Sequence, residues 1–137
     1  MNDADYTQLA DFRRRLITFQ RASDGRIRDA GLTPSQYLLL LAVRASDAGN
    51  GPTIGDVAEF LILKHHSVVE LVDRAAAGGL LKRSPDPDDG RVVRLRLTAA
   101  GRERLERVAA VNFRELGHLR LLNEGLSQAN EERGAAR

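Results

Sequence analysis

Apolar positions recur along this chain with two different periods, and the change of period separates helices from a hairpin. Leu9, Phe12, Leu16 and Phe19 are spaced 3, 4 and 3, the seam of an amphipathic helix. Ile27 and Ala30 extend it, giving a predicted helix from Asp5 to a stop at Gly31, with residues 1–4 expected to be disordered. Thr33-Pro34-Ser35-Gln36 opens the next helix: threonine caps, proline takes the first helical position and glutamine closes a capping box. That helix, Ser35 to about Ala45, contributes Tyr37, Leu40, Leu41 and Arg44, and its apolarity on all sides predicts a buried central element. A loop, Asp47 to Pro52, precedes Thr53-Ile54-Gly55-Asp56, which starts a short helix through Leu61 in the same manner.

Another short helix follows at once. Val68, Leu71, Val72 and Ala75 fall at i, i+3, i+4 and i+7 and share one face, with Ser67, Glu70 and Arg74 opposite and Lys64, His65 and His66 near its start. Gly78-Gly79 supplies the stop. Leu80 to Ser84 then runs into Pro85-Asp86-Pro87-Asp88-Asp89-Gly90, a series of turn formers. Beyond it Val93, Leu95 and Leu97 alternate with Val92, Arg94 and Arg96, the period of a half-buried strand. Two short helices followed by a basic hairpin give the order of a winged helix-turn-helix. After Thr98, Leu105, Ala109, Asn112, Leu116 and Leu119 are spaced 4, 3, 4 and 3, and Asn123 and Leu126 continue the register. This heptad seam predicts a long helix that either mediates dimerisation or packs only on the first helix, with a tail that frays past Glu131. The fold class is mainly α with a small two- to three-stranded β wing. A single domain is expected, with dimerisation helices over about 5–31 and 99–133, the winged helix-turn-helix over 33–98 and the wing over 80–98.

Composition narrows the function. A chain of 137 residues with 42% hydrophobic and 29% charged positions fits one folded domain. The longest apolar run, Tyr37 to Val43, is too short to cross a bilayer, and the acidic start lacks a signal-peptide pattern; a cytoplasmic protein is expected. Without cysteine, disulfides, thiolate metal sites and thiol redox sensing are excluded. The net charge is +2, so charge placement matters more than its sum: Lys82, Arg83, Arg91, Arg94, Arg96, Arg102 and Arg104 crowd one segment. Arginine outnumbers lysine 19 to 2, which either a GC-rich genome or phosphate contacts explains equally. Arg13, Arg14 and Arg15 form a solvated flank, or one of them faces an interior pocket and pairs with an anionic ligand. His65 and His66 point about 100° apart on a helix and do not suit one ion; no metal or cofactor is expected. No nucleophile elbow, phosphate loop or paired-carboxylate site argues for an enzyme.

From Val57 to Gly101 the chain resembles the DNA-binding half of the MarR family, the bacterial multiple-antibiotic-resistance regulators. Leu71-Val72-Asp73-Arg74 followed by Gly79-Leu80-Leu81 and Arg83 carries one match. Asp86-Pro87-Asp88-Asp89-Gly90-Arg91 with Arg96-Leu97-Thr98-Ala99-Ala100-Gly101 carries the other. The resemblance implies a homodimer binding a pseudo-palindromic double-stranded operator, with recognition helices in successive major grooves and wings in adjacent minor grooves. Arg91 is the candidate for minor-groove insertion, and the resemblance casts Asp89 as its brace. Arg94 and Arg96 share a strand face, either reaching phosphate or forming a surface ladder, while Lys82 and Arg83 serve the neighbouring backbone.

The chain departs from the family pattern where the recognition helix begins, at Lys64, His65 and His66. Either the helix starts near His65, so that His65, His66, Ser67 and Val69 meet bases or phosphates and Glu70 accepts from cytosine, or Ser67 and Glu70 form a capping box and it starts late. Arg74 joins the DNA-contacting set. Leu9, Phe12, Leu16, Leu105, Ala109, Asn112, Leu116 and Leu119 are the candidate dimer interface. The resemblance also implies a small-molecule effector, aromatic or phenolic, with Phe12, Arg15, Phe19, Tyr37, Leu41 and Phe113 either lining its pocket or forming plain core. The function so implied is a transcriptional regulator, a repressor released by ligand; the alternative is a winged-helix protein-interaction module without DNA binding.

Overall fold

The computed structural model describes residues 1–46 and 49–136, without the side chains of 120–123, 125, 126 and 129. Asp47 and Ala48 of the expected loop, and Asn123 and Leu126 of the expected seam, lie outside the described residues. The elements are α1 (Asp3–Asp29), α2 (Pro34–Ala45), α3 (Ile54–Leu61), α4 (His65–Ala77), β1 (Leu81–Pro85), β2 (Val93–Leu97) and α5 (Ala99–Ala135). They fall into two compact units, Met1–Arg26 with Val108–Arg137, and Ile27–Arg107.

In the first unit α1 begins two residues earlier than its apolar pattern indicates. Asn2 and Asp5 cap each other: the Asp5 amide donates to Asn2 Oδ1 at 3.0 Å and the Asn2 amide to Asp5 Oδ2 at 2.8 Å, satisfying first-turn donors. α5 continues past Glu131 to Ala135, and Arg133 in its last turn pairs with Asp5. The contact between α1 and α5 is partly polar. Asn112 Oδ1 accepts from Arg26 Nε at 3.0 Å and Nη2 at 2.9 Å, and Asn112 Nδ2 donates to Ser23 Oγ at 2.8 Å. Ser23 and Asn112 are both buried, as a hydrogen-bonded polar pair must be to avoid a desolvation penalty. Large apolar side chains stay outside: Leu9, Ile17, Phe113 and Leu116 are 55%, 54%, 79% and 51% exposed. Of the expected dimer interface, Leu105, which lies in the other unit, and Asn112 are buried within a single chain.

The second unit has an apolar core that includes Leu39, Leu40, Val57, Val68, Val72, Leu80 and Leu95. α2 starts as expected, with Thr33 and Gln36 in a reciprocal capping box and Pro34 at the first position. It is not buried on every side, for Leu38 and Arg44 face outward. Thr53 and Asp56 cap α3 in the same way. α3 ends on Ile62 at φ 55°, ψ 46°, a left-handed conformation costly for a β-branched residue. At the other end of the helix pair, Gly79 adopts φ +72° and the Leu80 and Gly79 amides bond back to the Ala75 and Ala76 carbonyls at 3.0 Å each, a Schellman closure. Thr98 then locks this exit, its amide on the Leu80 carbonyl at 3.1 Å and its hydroxyl on the Gly79 carbonyl at 2.6 Å.

Gly101 belongs to the same lock, because a Cβ there would stand 1.9 Å from the Leu80 carbonyl oxygen. Gly101→Ala is therefore expected to lose about 1–3 kcal/mol through forced backbone movement. Ile62→Gly, which relieves the left-handed strain at the cost of chain entropy, is expected to gain about 0.5–1 kcal/mol. Denaturant unfolding of the two variants beside the parent checks both signs.

Candidate nucleic-acid interface

α4 starts at His65, with Lys64 as its N-cap and no side-chain cap bond; the Ser67 and Val68 amides bond to the Lys64 carbonyl at 3.1 and 3.2 Å. The late-start reading, with a Ser67–Glu70 capping box, is thereby set aside. Val68, Leu71, Val72 and Ala75 face the core. Lys64, His65, His66, Glu70 and Arg74 are exposed, while Ser67 and Val69 are half-buried. The helix presents its expected outer face along its whole length.

The wing pairs β1 and β2 antiparallel, with Lys82 opposite Arg96, Arg83 opposite Leu95 and Ser84 opposite Arg94. A single bridge from Thr53 to Arg94 adds a short third partner, backed by the Leu95 amide on the Pro52 carbonyl at 2.9 Å. The tip is organised by Asp86, which is buried. Its Oδ1 accepts from the Asp88 and Asp89 amides at 2.9 and 3.1 Å. Its Oδ2 accepts from Arg94 Nε at 2.7 Å. The Arg94 guanidinium, and after it the two amides, hold the Asp86 carboxyl below the usual carboxylate range.

Beyond this anchor Arg91 reaches into solvent with its side chain 91% exposed. Asp89 Oδ1 accepts from Arg91 Nε and from its amide, each at 3.1 Å, and Oδ2 accepts from Nη2 at 3.2 Å. The Arg91 guanidinium and amide together lower the Asp89 pKa. An extended arginine held by a two-oxygen grip is pre-aimed, so less side-chain freedom is lost when it meets an anion.

The other wing cations behave differently from one another. Arg94, read either as a phosphate contact or as part of a surface ladder, spans from Asp86 to the Gly51 carbonyl at 3.2 Å and serves as an internal tie. The reason is the bridge at Thr53, which brings the loop across its strand. Arg83 pairs with Asp73 of α4, fastening the wing to that helix, and Arg96 Nη2 donates to the Gly49 carbonyl at 3.1 Å. Lys82 and Arg74 are exposed. Asp73, Asp86 and Gly51 were not foreseen as organisers, since their partners lie 10, 8 and 43 residues away and become neighbours only through the hairpin register.

Residues 30–92 match the MarR family model. Over these residues the winged helix-turn-helix is similar to the MarR family. The chain is 36% identical over 86 residues to the uncharacterized HTH-type transcriptional regulator YhbI of Bacillus subtilis, covering 63% of this chain and 53% of that protein. It is 32% identical over 81 residues to the HTH-type transcriptional repressor IacR of Pseudomonas putida, covering 59% and 47%. This chain thus spans about half the length of the curated relatives it matches. Among solved structures, the S. aureus MepR–DNA complex superposes with a TM-score of 0.69 at 17% identity, covering 100% of this chain and 99% of that one; at that identity the likeness speaks for the MarR fold.

The expected effector-pocket residues are divided between the units. Phe12, Arg15, Phe19 and Phe113 belong to the first, and Tyr37 and Leu41 to the second. Arg15 and Phe19 line a cleft of about 520 Å³ with Arg14, Thr18, Glu115 and His118, whereas Arg13 is exposed. Phe12 lines a larger one of about 780 Å³ with Asp5, Leu9 and Arg133. Tyr37 is buried and Leu41 half-buried. No described helix is long and apolar enough to cross a membrane.

The anchored tip makes a pH prediction. A carboxyl whose folded pKa is depressed stabilises the fold above its unfolded value and loses that contribution as pH falls through the folded one. Asp86→Asn should therefore lower the thermal midpoint at pH 7. The gap between variant and parent should close as the pH drops below about 4, a convergence that melting curves from pH 7 to 3 would reveal.

Proposed function

We propose that this protein is a dimeric, sequence-specific double-stranded-DNA-binding transcriptional regulator of the cytoplasm, acting as a repressor that a small, aromatic or phenolic effector releases. The observation that carries the reading is Arg91, solvent-exposed at the hairpin tip and gripped by Asp89, beside an α4 whose outer face is open. A narrow minor groove concentrates negative potential and draws such an arginine, while Lys64, His65, His66, Ser67, Val69, Glu70 and Arg74 would face the major groove. Lys82 and Arg96 remain candidates for backbone contacts, whereas Arg83, Arg94 and Asp89 would position the wing.

Dimerisation is supported by the apolar side chains that one chain leaves outside, notably Leu9 and Leu116, with Phe12, Leu16, Ala109 and Leu119 completing the seam. A two-fold axis would set the recognition helices at half-sites about 34–36 Å apart. The DNA complex of MepR and the similarity to the transcriptional repressor IacR support the same reading. Release by effector needs a coupling of about 1–3 kcal/mol, which is 5–150-fold in affinity.

Fluorescence anisotropy with a duplex from the upstream region of the gene tests this. Binding should weaken steeply with salt through counterion release. Arg91→Ala should cost about 10–100-fold in specific affinity while light scattering still reports a dimer. Unchanged affinity would remove the wing's role, and absent or salt-insensitive binding would leave the protein-interaction reading instead.

A further inference from the structure

The foot of the wing holds a cavity that shares Lys82 and Arg96 with the proposed DNA contacts and adds two cations, Arg44 and Arg102, that the DNA reading does not use. It measures about 510 Å³ and is lined by Arg44, Lys82, Arg96 and Arg102 over a floor that includes Val43 and Leu97. The four cations arrive from four places: the last turn of α2, both wing strands and the first turn of α5. No acidic side chain is among the described residues of its lining.

Some arginines elsewhere reach carboxylates: Arg26 with Glu115, Arg83 with Asp73, Arg91 with Asp89, Arg94 with Asp86. Among the described residues Arg44, Lys82 and Arg102 have no acidic partner, and Arg96 donates to the neutral Gly49 carbonyl. Four like charges converging on one concavity repel one another, and an anion placed among them turns that repulsion into attraction. Guanidinium groups also match the oxygens of phosphate in two-point fashion.

We infer that this cavity is a binding site for a small free dianion of the phosphate-monoester type, one that ties the wing to α2 and to the start of α5. A duplex backbone is the other source of phosphate; Lys82 and Arg96 are its candidates as well, but the position argues against its reaching all four cations. Lys82 and Arg96 pair one step from the open end of the hairpin, roughly 10 Å back from where the strands close beneath the Arg91 tip. An occupant here would stiffen the base on which the wing is set, and so adjust DNA affinity without touching the reading face.

Inorganic phosphate is the probe, compared with chloride at equal ionic strength. The thermal midpoint of the parent should rise by about 2–5 °C at roughly ten times the dissociation constant. Arg44→Gln/Arg102→Gln should abolish that rise while binding duplex as the parent does in phosphate-free buffer. Each single variant should keep less than half of the rise, so the result does not rest on the double variant folding. An absent rise in the parent, or an equal rise in the double variant, would overturn the site. A loss of duplex affinity in phosphate-free buffer would overturn it too, by giving the cavity to the DNA backbone.

Discussion

The wing depends on one carboxylate. Asp86 is buried and uses both oxygens: one orders the turn through the Asp88 and Asp89 amides, the other takes the Arg94 guanidinium. Arg94 carries the connection on to the Gly51 carbonyl, so the hairpin tip, its second strand and the loop before α3 become one hydrogen-bonded piece. A two-stranded hairpin alone is marginal in water. With its base on Leu81, Leu95 and Leu97 and its tip on Asp86, this one has a fixed direction, and the aim of Arg91 follows from that direction.

The same logic of short, directional ties governs α4. α4 is held below by four apolar residues, but its placement along its own axis comes from its exit. There Gly79 turns left-handed and Thr98 grips the Gly79 and Leu80 carbonyls. Gly101 permits the close approach. The Arg83–Asp73 pair adds a lateral tie from wing to helix. Helix and wing are thus positioned against each other by polar contacts with narrow geometric tolerance, over a core that supplies most of the cohesion.

Much of this was legible in the amino-acid sequence because the signals were local. The capping residues at Thr33 and Thr53, the inward face of α4, the glycine exit and the alternation along β2 each lie within a few residues of what they determine. The misses were non-local. Arg94 and Arg96 read alike along the strand, and only the Thr53 bridge and the loop at Gly49 to Gly51 give them their acceptors. Asn112 and Leu105 fit a heptad as well as Leu116 does, but periodicity cannot tell a residue buried by its own chain from one left for another. The start of α1 was missed for a third reason, since the apolar pattern begins only after the Asn2–Asp5 cap has already started the helix.

The Ser23–Asn112–Arg26 cluster in the first unit has a consequence for assembly. Apolar side chains interdigitate almost as well after a slip of one turn, whereas three hydrogen bonds to a single amide do not. With the register of α1 against α5 pinned in this way, the outward array of Leu9, Ile17, Phe113 and Leu116 keeps one spacing. A fixed array of this kind presents a single spacing of apolar side chains to whatever packs against it.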